Sequence, residues 1–132
     1  MKLEAYLFFP GTTDEAMTFY REVFGGDLAI TRRGDVDPAA PESEKHLVIN
    51  AALDGGTFML RASDRVDASL DVQTRIELTV VGTDESKLRG IFEALSDGGT
   101  VKAHLEKMFW GDIFGGLVDQ YGIGWQVNIT AS

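Results

Sequence analysis

The 132-residue chain contains no cysteine. That absence removes disulfides, thiolate metal sites and thiol nucleophiles together. Histidine is nearly as scarce. Only His46 and His104 are present, far from any HExxH-like spacing. Basic residues are in deficit too, with 12 Lys and Arg against 21 Asp and Glu and a net charge of −9. A nucleic-acid partner needs a Lys/Arg footprint, and an anionic membrane surface needs a polybasic segment. Neither partner is expected here. The acidic balance serves solubility, and its sharper consequence is attraction of cationic ligands. No apolar run approaches the roughly 20 residues of a membrane helix. The opening stretch "MKLEAYLFFPG" is apolar but short, and it has no small-residue cleavage site. A cytoplasmic location is the expectation. The sequence shows no Ser-His-Asp set, no carboxylate pair at a known catalytic spacing and no P-loop.

What is present is a pattern read twice. "LFFPGTTDEAMTFYREVFGGDLAI" runs strand, Gly, Thr, acidic pair, helix, Gly-Gly, strand, and "LTVVGTDESKLRGIFEALSDGGTVKA" repeats it. In the first copy, Thr12 with Glu15 predicts a capping box. Ala16, Phe19, Tyr20 and Val23 follow at helical spacing. In the second copy Thr83 is the expected cap, and Leu88, Ile91, Phe92 and Leu95 form the apolar stripe. Gly25-Gly26 and Gly98-Gly99 supply the positive φ that ends each helix. Three strands are predicted after each helix. In the first half they are Asp27 to Arg32, His46 to Leu53 and Thr57 to Ala62, the last two flanking the turn signal "DGG". In the second half they are Thr100 to Glu106, Phe109 to Val118 and Ile123 to Thr130. "VDQYGIG" then takes the place of "LDGG" as a longer turn, so Asp119 and Gly122 read as turn chemistry. "RGDVDPAAPESEK" reads as a polar loop. The expected class is α+β, a single domain of two βαβββ modules at about 1–66 and 74–132, joined by a linker at 64–74 within "SDRVDASLDVQT".

"YLFFPGTTDEAMTFYREVFGG", "HLVINAALDGGTFMLRASD" and "FWGDIFGGLVDQYGIGWQVNI" resemble the PhnB-like branch of the vicinal oxygen chelate superfamily. That superfamily includes glyoxalase I, bleomycin-resistance proteins and extradiol dioxygenases. The resemblance spans nearly the whole chain. It implies paired βαβββ modules with curved mixed sheets around a cleft, and usually a homodimer. The branch often carries a ubiquinone-pathway methyltransferase label, yet the sequence has no strand–Gly-rich-loop–helix unit suited to S-adenosylmethionine.

Enzymes of the superfamily hold a divalent metal with His and Glu from the first and last strands of each module. The expected register places those four positions at Ala5, Met59, Arg75 and Gln126. Ala offers no ligand, Met and Gln are poor ones and Arg repels a cation. No metal and no cofactor are therefore expected. Alternation along the fifth strand puts Ile76, Leu78 and Val80 toward the helix, leaving Arg75, Glu77 and Thr79 on the concave face. Alternation along the last strand adds Gln126 and Asn128. By the repeat, Met59, Arg61, Leu7 and Tyr6 line the other module.

A mostly apolar hollow with a few converging polar groups suits a small organic ligand. Arg75 or Arg61 either grips an anionic group bidentately or pairs with Glu77. Trp110 and Trp125 either fill core or wall the ligand. Asp112 either accepts from a cationic ligand or sits in a bulge with Gly111. His46 opens the third strand, as a strand-end residue or a pocket donor and base. His104 faces solvent. The candidate ligand-binding set is Met59, Arg61, Arg75, Glu77, Trp110, Asp112, Gln126, Asn128 and His46. The expected role is a metal-free small-molecule-binding dimer. The alternatives are a glyoxalase- or dioxygenase-type enzyme with displaced metal ligands, and a dimeric scaffold.

Overall fold

The computed structural model describes residues 1–66 and 76–131. The chain divides into two compact units, Met1–Gln73 and Thr74–Ser132. Each has the order βαβββ and one four-stranded mixed sheet.

The first unit holds β1 (Ala5–Phe9), α1 (Thr13–Phe24), β2 (Asp27–Arg32), α2 (Arg33–Val36), β3 (Val48–Asp54) and β4 (Met59–Asp64). Its strand order is β1-β4-β3-β2, with β1 parallel to β4 and the other pairs antiparallel. The second unit holds β5 (Leu78–Gly82), α3 (Glu85–Ser96), β6 (Thr100–Lys107), β7 (Ile113–Val118) and β8 (Gly124–Ile129). Its order, β5-β8-β7-β6, repeats the first with β5 parallel to β8.

Each helix covers one face of its own sheet. In α3 the buried residues are the predicted stripe, Leu88, Ile91, Phe92 and Leu95. In α1 the buried set is Thr13, Ala16, Met17 and Tyr20, so the face is rotated from the predicted one and Phe19 and Val23 are half-buried. The sheet residues beneath have a two-residue period: Leu60 and Ala62 in one unit, Leu117, Trp125, Val127 and Ile129 in the other.

The ends of α1 and α3 differ from expectation in an instructive way. Thr12 makes no side-chain cap hydrogen bond. Instead Asp64, at the end of β4, accepts from the Thr13 N–H at 3.0 Å through Oδ1 and from the Val48 N–H at 2.9 Å through Oδ2. One carboxylate thus satisfies the first N–H of α1 and the start of β3 together. In the second unit Asp84, not Thr83, is the cap, accepting from Lys87 N–H at 3.1 Å. The glycine pairs meet expectation and do more. Gly25 and Gly98 have φ of 76° and 74°. A Cβ on Gly26 would lie 2.7 Å from the Asp54 carbonyl oxygen, and one on Gly99 2.3 Å from that of Val118. Each pair reverses the chain and then passes flat against the neighbouring strand.

Other boundaries shift. The loop between β2 and β3 contains α2 and a 3-10 turn at Glu42–Glu44. β3 begins at Val48 and not at His46, β4 at Met59 and not at Thr57, and β7 at Ile113 and not at Phe109. Ile76 precedes β5 and is exposed.

Three substitutions test this packing by denaturant midpoint. Gly99→Ala drives Cβ into backbone and lowers stability by about 3 kcal/mol. Asp64→Ala strands two backbone donors and lowers it by about 2 kcal/mol. Gly90→Ala, exposed within α3 with nothing within 4 Å of its Cβ, raises it by about 0.5–1 kcal/mol.

Candidate functional site

With one face of each sheet under a helix, functional polar groups are left to the opposite face. Cross-strand partners share a face, so register defines the rows of that surface. In the second unit one row runs Val81, Asn128, Phe114, Glu106 and the next runs Thr79, Gln126, Gly116, Ala103. The second row is built of small residues around one amide. Gln126 donates from Nε2 to Glu77 Oε1 at 2.9 Å and accepts at Oε1 from the Thr79 hydroxyl at 3.3 Å. Gly124 makes room for Glu77, since a Cβ there would lie 2.9 Å from its Cγ.

In the first unit the equivalent row is Tyr6, Arg61, Ala52, Ala29. Arg61 donates from Nε to Glu4 at 2.5 Å. Tyr6 and Phe8 lie on this face with ring centroids 5.1 Å apart, and the Arg65 guanidinium sits 3.5 Å from the Phe8 ring centroid. Met59 borders a broad hollow of about 510 Å³ with Lys2, Glu4, Asp54 and Phe58.

The repeat is in a different register from the one expected. Ala5 pairs with Leu60 as Leu78 pairs with Trp125. Arg65 N–H bonds Phe9 O as Thr130 N–H bonds Gly82 O. Ala5 therefore corresponds to Leu78 and not to Arg75, and Arg61, not Met59, corresponds to Gln126. For the last strands the cause is the turns: Asp54 faces Met59 across residues 55–58, whereas Val118 faces Gly124 across residues 119–123. Ala5 and Leu7 lie on the helix-covered face with buried Leu60 and Ala62. The corrected register reveals a pairing that alternation alone missed. The residue before the first strand of each unit is a glutamate, Glu4 or Glu77, and a side chain of the last strand, Arg61 or Gln126, holds it. Arg61 is thus paired with Glu4 and not with Glu77, and Arg75 lies outside the described residues.

His46 lies in a turn before β3, exposed, and its carbonyl oxygen accepts from Arg32 Nη1 at 3.0 Å. His104 is exposed on β6. Both glutamates at the strand starts already hold nitrogen donors. Among the described residues no group of three or more His, Cys, Asp or Glu side chains converges. This donor set does not fit the His and Glu metal site of the superfamily.

The stretch from Lys107 to Ile129 splits its aromatics and aspartates between two jobs. Asp119 is buried, accepting from Tyr121 N–H and Ile123 N–H at 2.9 and 3.0 Å on Oδ1 and from Trp125 Nε1 at 2.8 Å on Oδ2. It organises the β7–β8 turn, and Trp125 is core. Trp110 is neither core nor part of a strand. A tight turn, closed by Gly111 N–H to Met108 O and Met108 N–H to Asp112 O, displays Phe109 and Trp110 at 97% and 52% exposure. Their rings meet edge-on at 4.8 Å. At the foot of the turn Asp112 Oδ2 accepts from Asn128 Nδ2 at 3.1 Å.

A family model described as 3-demethylubiquinone-9 3-methyltransferase matches residues 1–128. The chain is similar to the solved structure of protein PA1353 from Pseudomonas aeruginosa, with 29% identity and a TM-score of 0.84 over 98% of this chain and 97% of that one. It is similar to the PhnB protein of Bacillus cereus, described as a 3-demethylubiquinone-9 3-methyltransferase, with 25% identity and a TM-score of 0.78 over 98% and 100% of the two chains. A glyoxalase/bleomycin resistance protein/dioxygenase family enzyme from Burkholderia phytofirmans shares the fold, with 14% identity and a TM-score of 0.62 over 96% and 95%.

The donor geometry gives a direct expectation for metal. Protein dialysed against zinc, nickel or manganese and then desalted retains well under one equivalent by elemental analysis, and chelator leaves its melting temperature unchanged. Stoichiometric metal lost on Glu77→Gln would reverse the assignment.

Proposed function

This chain belongs to the family described as 3-demethylubiquinone-9 3-methyltransferase, the PhnB-type branch of the glyoxalase/bleomycin resistance protein/dioxygenase superfamily, and we propose that it is a small-molecule-binding protein that acts without a resident metal. The observation that carries this reading is the row Thr79, Gln126, Gly116, Ala103. A strand centre in a stable sheet is ordinarily filled by branched or aromatic side chains. Here small residues flank one amide, with Glu77 hydrogen-bonded to it and Phe114 in the adjoining row. Apolar surface with a few fixed polar groups is what a small organic ligand requires. Of the residues expected at the site, Glu77, Gln126, Asn128, Asp112 and Trp110 belong to this unit, and Arg61, Met59 and His46 to the other.

The family resemblance also supports a homodimer, which sedimentation velocity tests. Among the described residues no helix is long and apolar enough to cross a membrane.

Thermal shift against a ligand panel, run with chelator throughout, tests binding. A ligand at a hundred times its Kd adds about 2.7 kcal/mol of stability. Gly116→Val, whose Cβ would meet only the Trp125 carbonyl oxygen at 3.6 Å, puts a branched side chain beside Gln126, and the expected outcome is a retained melting temperature with the ligand shift lost. A shift that appears only in a parallel run with divalent metal and no chelator counts against the proposal.

A further inference from the structure

We propose that Asp97-Gly98, at the C-terminal end of α3, is a site of spontaneous isoaspartate formation, and that the fold holds back the same step at Asp54-Gly55. The proposal is independent of the binding role. The tetrapeptide Asp-Gly-Gly-Thr occurs twice, at 54–57 and at 97–100, and the chain has no other Asp-Gly or Asn-Gly step. In the reaction the glycine nitrogen attacks Cγ of the preceding aspartate in its protonated form. An N–Cγ bond forms, the C–OH bond breaks, and the hydroxyl leaves as water with the amide proton. Water then adds to one of the two carbonyls of the five-membered succinimide and opens it. Opening at the former backbone carbonyl leaves the chain running through Cβ and Cγ, with a free α-carboxylate. Nothing is oxidised or reduced, and the water lost is regained. The attack is intramolecular, so its rate depends on how freely the two groups meet. Glycine offers a nitrogen with no side chain to shield it. With the same four residues at both places, the fold decides which one reacts.

At Asp54-Gly55 both reacting groups are engaged. Gly55 N–H donates to Phe58 O at 3.0 Å, and Asp54 Oδ1 accepts from Gly56 N–H at 3.0 Å. Asp54 ends β3, paired with Asp27 on one side and Met59 on the other, so its peptide plane does not turn without breaking the sheet. The Phe58 ring also stands against Gly55, 2.0 Å from where a Cβ would lie. At Asp97-Gly98 the same groups are free. Both residues are exposed, and among the described residues neither the Gly98 N–H nor the Asp97 carboxyl has a hydrogen-bond partner. Rotation about the Asp97 ψ, which stands at 120°, carries the nitrogen toward Cγ. The Asp97 carbonyl is restrained by one 3.3 Å hydrogen bond, from Gln120 Nε2. The product matters because the chain just beyond has no slack. A Cβ on Gly99 would lie 2.3 Å from the Val118 carbonyl oxygen. An extra main-chain methylene at 97 pulls Gly99 N–H from Ser96 O, now at 2.9 Å, and loosens the start of β6. The freed α-carboxylate lies at the surface, where an enzyme that methylates isoaspartyl carboxylates can reach it.

Prolonged warm incubation of the folded full chain in heavy-oxygen water, followed by trypsin digestion in ordinary water, tests the proposal by peptide mass spectrometry. Each ring opening leaves one heavy oxygen behind. Peptide 90–102 carries Asp97 and peptide 46–61 carries Asp54. Peptide 90–102 gains heavy oxygen and isoaspartate about 10-fold faster than 46–61, and in denaturant the two react at similar rates. Gln120→Ala speeds the reaction in 90–102 by about 3-fold and leaves 46–61 unchanged. Asp97→Glu, which would need a larger ring, abolishes the label in 90–102 while the melting temperature holds. Equal rates in the folded chain, a faster reaction at Asp54, a difference that persists in denaturant, or label in 90–102 that survives Asp97→Glu overturns the proposal. So does a folded chain without isoaspartate in 90–102 under conditions where the denatured chain forms it.

Discussion

The two-residue period of a β-strand is the constraint on which everything else here depends. A helix lies on one face of each sheet, so every second residue is committed to apolar packing and its neighbours are free to be polar. β8 shows the division most cleanly: Trp125, Val127 and Ile129 are buried, while Gln126 and Asn128 carry hydrogen bonds to Glu77 and Asp112. A slip of one residue would bury both amides and expose a tryptophan. Register is therefore the quantity that turns this sequence into a site.

Register is pinned at the strand ends by buried or half-buried carboxylates and by glycine. Asp64 ties β4 to α1 and β3, and Asp119 ties the β7–β8 turn to the indole of Trp125. Each satisfies donors that would otherwise be stranded, and such groups cost more when unmatched than they contribute when matched. Gly26 and Gly99 let the chain pass against the edge of β3 or β7 where any Cβ would strike a carbonyl. These four residues touch no proposed ligand, yet they decide where Gln126 and Asn128 stand.

Much of this was legible before any coordinates. The doubled pattern, the Gly-Gly helix ends and the stripe of α3 follow from local spacing, and local spacing is what a sequence records best. The alternation in β8 placed Gln126 and Asn128 correctly for the same reason. The misplacements have a common physical source in long-range pairing. The cap of α1 comes from Asp64, 51 residues away, so Thr12 looked sufficient. Turns of unequal length between β3–β4 and β7–β8 displaced Met59 from its supposed counterpart Gln126. The Glu4–Arg61 pair joins residues 57 apart, and only the corrected register makes it the counterpart of Glu77–Gln126. The small residue at Gly116 had a visible signal in "FGGLV", two glycines inside a strand, but sequence could not say which of them faced the core. Gly115 does, wedged against Phe92 and Leu105, and Gly116 does not.

The functional account follows from these placements. A superfamily scaffold keeps its two βαβββ units while the strand-start glutamates are engaged by an arginine and an amide, and the open face of the second unit offers small residues around Gln126. Amide-resolved NMR titration with a binding ligand tests this most directly. The account predicts that shifts concentrate on Gly116 and on the side-chain NH₂ groups of Gln126 and Asn128, with the Trp125 indole N–H unmoved because Asp119 holds it. Shifts confined to α3, or a moving Trp125 indole beside a silent Gly116, would contradict it.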